Sequence, residues 1–117
     1  MSTHPNAILM VTLTPDHLAR KTYRAIIASD GGDDGKRVKI SGIDYNILVM
    51  EGDYDEGFQI TAKEGDIVLF DMVTYGYGEI IEWAKLEAQK MKLEEWAKDV
   101  CEKHSCTFEI SITANYW

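Results

Sequence analysis

TFEISIT (residues 107–113) alternates without a break: Phe108, Ile110 and Ile112 fall on one side of an extended chain, and Thr107, Glu109, Ser111 and Thr113 on the other. A strand of that pattern is half buried and half wet, as in an antiparallel sheet covered by helices on one face. The residues before it read as the longest helix of the chain, about 79–103. Glu79 and Glu82 fall at its start, Lys103 and His104 at its end, so the charges complement the helix dipole. Glu94 with Lys98 and Asp99 with Lys103 have the i,i+4 spacing of ion pairs.

The apolar residues of this helix form two stripes. Ile80, Ile81, Ala84, Ala88 and Met91 share one, while Leu93, Trp96, Ala97, Val100 and Cys101 lie roughly opposite. No Gly or Pro separates them to kink the axis. The helix therefore bends near residues 90–92, or packs on its own sheet with one stripe and on a second surface with the other. Under the latter reading Leu93, Trp96 and Val100 form a homo-oligomer interface, and a homodimer with a scaffolding role is the alternative function.

Further toward the N-terminus, residues 36–74 read as β structure. Val38 and Ile40 alternate with Arg37 and Lys39, Gly42 marks a bulge or tight turn, and Tyr45, Ile47 and Val49 continue with period two. Residues 51–57 read as a loop, and Phe58, Ile60 and Ala62 as the next alternating face. Residues 63–66 (KEGD) read as a compact hairpin connection. Residues 67–72 (IVLFDM) are apolar on both faces and predict a central strand. Residues 7–13 (AILMVTL) predict a buried first strand after a flexible tail at 1–6. Thr14-Pro15-Asp16 has the form of a helix start, giving a short helix to about Lys21. Residues 22–29 fit helix or strand equally, and the glycines at 31, 32 and 35 end whatever precedes them. The expected fold is one α+β domain over 7–117: an antiparallel sheet of four to five strands, with the long helix and a short N-terminal helix packed on one face.

The chain's 117 residues suit one domain with a real core. No apolar run approaches the ~20 residues that span a bilayer, no membrane association is expected, and the N-terminus lacks the basic start of a secretory signal. With two cysteines there is no disulfide framework, so the expected compartment is the cytoplasm.

Negative charge is concentrated in the middle of the chain. Asp44, Glu51, Asp53, Asp55, Glu56, Glu64, Asp66 and Asp71 stand against a single base, Lys63, in a chain of net charge −8. A surface of one sign repels nucleic acid and steers basic partners.

Catalytic and cofactor motifs are missing from this sequence, and no cofactor is expected. Counting a calcium loop from Asp53 puts Asp55 third and Glu64 twelfth, but Phe58 occupies the sixth place where such loops need glycine. That loop and the Asp30, Asp33, Asp34 loop read as solvated turns. Cys101, His104 and Cys106 offer three soft ligands where structural zinc takes four, and they read as helix-end residues, so no metal is expected. A Cys101–Cys106 disulfide is conceivable on spacing but is not expected in a reducing cytoplasm. Gly31, Gly32 and Gly35 before Lys36 lack the spacing of a phosphate loop. Six bases between Arg20 and Lys39, with Tyr23 and Tyr45 as stacking faces, are outweighed by the acidic middle, so direct nucleic-acid binding is not expected.

The leading expectation is a small, non-catalytic binding protein. Its acidic face, Asp53, Tyr54, Asp55 and Glu56 with Glu64 and Asp66, would occupy the basic, nucleic-acid-binding surface of a partner protein. Tyr54 set among acids is suited to anchor such a contact. The strategy is that of small acidic inhibitors from phages and mobile elements, the anti-CRISPR and anti-restriction proteins, in size and charge though in no shared motif. A small hydrolase or transferase working through carboxylates is a second alternative.

Overall fold

In the computed structural model, residues 5–16, 19–30, 37–51, 54–55, 61–74 and 82–116 are described. Two adjacent hydrophobic strands form the middle of the sheet. β1 (Pro5–Pro15) pairs on one side with β6 (Ile67–Thr74) and on the other with β7 (Cys106–Tyr116). β6 in turn pairs with β3 (Ile43–Val49), and β3 with β2 (Arg37–Ile40). Every pairing is antiparallel, and the five-stranded order is β2-β3-β6-β1-β7. The fold is α+β, as the alternation of 107–113 implies.

Alternation assigns each residue to a face. Leu9, Val11 and Leu13 of β1, Ile67 and Leu69 of β6, and Tyr45 and Ile47 of β3 all sit in the main core. Both helices cover that face. α1 (Ala19–Asp30) contributes Ile26, with Tyr23 and Ile27 packed beside it, and α2 (Trp83–His104) contributes Leu93, Ala97 and Val100. Fully burying a side chain such as Leu93 is worth roughly 2 kcal/mol. The second face is not uniformly wet. Ile8, Met10 and Val68 form a smaller cluster with Ala62, which belongs to a two-stranded ribbon, β4 (Tyr54–Asp55) and β5 (Thr61–Ala62).

Several expectations are corrected. Pro5 and Asn6 belong to β1 rather than to a tail. Thr14 and Pro15 continue β1, paired with Thr107 and Cys106, so the Thr-Pro-Asp run starts no helix. The helix lies further on, at 19–30, because Thr22, Tyr23, Ile26 and Ile27 recur at three- and four-residue spacing and face the sheet. Residues 63–66 do not close a hairpin: β5 pairs with β4, β6 pairs with β1 and β3, and the turn links ribbon to sheet.

The two stripes of α2 are also resolved. The helix runs unbroken from Trp83 to His104, with the Glu94–Lys98 and Asp99–Lys103 pairs formed at 3.5 and 3.0 Å. Leu93 and Val100 are buried in the chain's own core and Trp96 packs against it, so they are not free to form an oligomer interface. The opposite stripe is the exposed one: Ala84 and Ala88 face solvent, as does Met91. Ile80 and Ile81 lie outside the described residues.

Candidate binding cleft

The turn at residues 63–66 organises one end of the sheet. Gly65 has φ +91°, a backbone that side chains disfavour, and this lets the chain reverse tightly. Asp66 N–H donates to the Lys63 carbonyl at 3.0 Å, and Lys63 N–H donates to Asp66 Oδ2 at 3.0 Å. The other carboxylate oxygen, Oδ1, accepts from the Thr14 hydroxyl at 3.1 Å. Both oxygens of Asp66 are thereby engaged, which is why a carboxylate only 8% exposed is tolerated.

The same turn is tied to the end of β3. Met50 N–H donates to the Asp66 carbonyl at 2.8 Å, and Gly65 N–H donates to the Met50 carbonyl at 2.9 Å. These two bonds bring Glu51 and Glu64 to one end of the sheet, although thirteen positions separate them in sequence. Glu64 is exposed. Glu51 is exposed and forms an ion pair with Arg20 of α1, a solvent-facing contact worth at most about 1 kcal/mol.

Beside the turn opens a cleft of about 550 Å³. Thr12, Thr14, Thr107, Lys63, Asp66 and Glu109 supply its polar lining. Thr12 and Glu109 are direct cross-strand partners, as are Thr14 and Thr107, so alternation sends all four to the same face. The cleft thus holds three hydroxyls, two carboxylates and one ammonium, of which Thr14 and Asp66 are bonded to each other. Glu109 with the hydroxyls of Thr12 and Thr107 is the part that suits a cationic group. Among the described residues no group of three or more His, Cys, Asp and Glu is placed to hold a metal ion.

The sequence-expected site residues are only partly brought together. Asp53 and Glu56 lie outside the described residues. Tyr54 and Asp55 form β4, in register with Ala62 and Thr61, which puts their backbone beside the ribbon strand that leads into the turn. Glu64 is on the surface, but Asp66 is a structural carboxylate rather than a member of an exposed face. Two other central acids leave the group entirely. Asp44 is exposed on β3 with Lys39 as its cross-strand partner, and Asp71 accepts a hydrogen bond from Gln89 of α2 on the helix-covered face. Glu109, Lys63 and Thr14 were not among the expected site residues. Glu109 was legible as a wet-face position, but its proximity to Asp66 depends on the β1–β7 and β1–β6 registers.

Comparison with protein-family models, curated proteins and solved structures finds no match. Among the described residues no helix is long and apolar enough to cross a membrane.

Proposed function

We propose that this chain is a non-catalytic binding protein whose acidic sheet end receives a basic surface of a partner protein. The supporting observation is the cleft that Asp66 and Glu109 line, bordered by the turn that carries the exposed Glu64; the backbone bonds joining Met50 to Gly65 and Asp66 bring Glu51 to the same end of the sheet, where it pairs with Arg20. An Arg or Lys side chain of the partner would enter the cleft, meeting Glu109 and the hydroxyls of Thr12 and Thr107. Guanidinium groups pair with carboxylates more strongly than neutral donors do. Carboxylates spaced along a sheet end imitate phosphates, so the natural target is a protein that handles nucleic acid, and the role is that of an inhibitor of the kind mobile elements direct against host defence. Among the described residues the contact rests on Glu64 and Glu109 rather than on Asp66, whose two oxygens are engaged by Thr14 and Lys63, with Glu51 at the same end of the sheet.

The test is affinity capture from lysate of the native host, with the wild-type chain compared against a Glu51→Lys, Glu64→Lys, Glu109→Lys variant. All three side chains are exposed, so their reversal leaves the core intact. The expected result is capture of a nucleic-acid-binding protein that is released by a salt step, competed by duplex DNA, and lost with the variant. Equal capture by the variant would overturn the assignment.

A further inference from the structure

Cys101, in the last turn of α2, and Cys106, the first residue of β7, have their sulfurs 3.0 Å apart in an S–H···S contact. The connection between them is short and sharply turned. Ser105 adopts the left-handed conformation with φ 53°, and its N–H returns to the Cys101 carbonyl. The turn therefore aims the first side chain of β7 back at the helix it has just left. Both thiols are free and partly exposed. A disulfide needs the sulfurs at about 2.05 Å, roughly 1 Å closer than they stand.

We propose that Cys101 and Cys106 are a modification site: a dithiol that a low-molecular-weight disulfide, such as oxidised glutathione, converts to an intramolecular disulfide stapling the end of α2 to the start of β7. Burial, with contributions from the neighbouring sulfur, pushes the Cys101 thiol up to about 12, so Cys101 is held protonated and Cys106 reacts first. The Cys106 thiolate, its proton released to solvent, attacks one sulfur of the reagent. The reagent's S–S bond breaks and one glutathione leaves as thiolate. Cys101 then gives up its proton and attacks the Cys106 sulfur. The mixed disulfide breaks and the second glutathione leaves. In balance, two S–H bonds of the protein become one S–S bond, and one glutathione disulfide becomes two glutathione thiols. The staple falls one residue before Thr107 in the wall of the cleft, but its formation is independent of what the cleft binds.

The test is to expose the native chain to oxidised glutathione and follow free-thiol titre and intact mass. The expected product has lost both thiols and the mass of two hydrogen atoms, stays monomeric on a non-reducing gel, and regains its thiols with dithiothreitol. A Cys101→Ser variant removes the resolving sulfur and is expected to stop at a lasting glutathione adduct on Cys106. Persistent adducts on the wild-type chain, disulfide-linked dimers, or thiols that resist the reagent would each overturn the proposal.

Discussion

Gln89 of α2 donates from its side-chain amide to the Asp71 carboxylate of β6 at 3.0 Å, and the same nitrogen reaches the Tyr45 hydroxyl of β3 at 3.0 Å. One helix residue thus holds two neighbouring strands and satisfies the polar groups they carry on the apolar face. Replacing Gln89 with Leu leaves the Asp71 carboxylate without its donor, and the expected loss is about 1–3 kcal/mol of stability in urea unfolding. Tyr45→Phe removes only a hydroxyl from the network and is expected to cost about 1 kcal/mol. A neutral Gln89→Leu variant would show that water serves Asp71 as well as the amide does.

The Thr14–Asp66 bond fixes the cleft end of the sheet. Thr14→Val keeps the shape and removes the donor, with an expected cost of about 1–2 kcal/mol. Asp66→Ala also releases the Lys63 N–H and is expected to cost more, about 2–3 kcal/mol. Comparing the two by denaturant midpoint separates the cross-strand bond from the turn's own bond.

The two stripes of α2 predict opposite behaviour. Leu93 is fully buried, and Leu93→Ala is expected to cost about 2–5 kcal/mol by leaving a cavity. Met91 is 64% exposed, and Met91→Glu is expected to change stability by no more than about 0.5 kcal/mol. Sedimentation of the Met91 variant is expected to match wild type. A shift in its mass would reveal an interface on the outer stripe.

The β2–β3 connection tests backbone preference in isolation. Ser41 and Gly42 have φ of 51° and 82°, the positive pair that a tight hairpin of this hand demands. A Cβ on Gly42 meets no atom within 4 Å, so Gly42→Ala is expected to destabilise by about 1 kcal/mol through conformation alone. Ser41→Asn, which tolerates that region better, is expected to stabilise by a few tenths of a kcal/mol, read as thermal midpoint.

Alkaline pH offers a further test. Burial raises Tyr45 above its ordinary 10.0, outweighing the downward pull of the Gln89 hydrogen bond, and the Asp71 charge adds a lesser upward push; Cys101 rises from 9.0 to about 12. In each case the unfolded chain loses its proton at a lower pH than the folded chain. The stability these groups contribute is complete below about pH 9 and is lost as pH climbs toward the folded values. Urea midpoints measured from about pH 8 to about pH 11 are expected to fall, and to fall less in a Tyr45→Phe, Cys101→Ser double variant.

The sheet was legible where period-two alternation reached into the core, as at residues 107–113, and where a run apolar on both faces marked a central strand, as at 67–72. The long helix was legible from its charge pairs and its end, but which stripe faced inward was not, because both are apolar and the choice is made by the sheet beneath. The Thr-Pro-Asp run misled because strand pairing with Thr107 and Cys106 outweighs a local capping pattern. The acidic site was misjudged for a related reason. Counting carboxylates along the chain cannot show that alternation turns Asp71 toward α2 or that a turn folds Asp66 beneath Thr14. Glu109, distant in sequence, reaches the cleft only through the registers of β1.

Pro5 and Tyr116 are cross-strand partners, so the first and last described residues stand about 5 Å apart. A short bridge of Gly and Ser would join them without straining either strand, and the chain could then be reopened at the exposed Ser41–Gly42 reversal. For the same reason the whole unit can be grafted into a surface loop of an unrelated carrier, entering and leaving through a gap no wider than one strand.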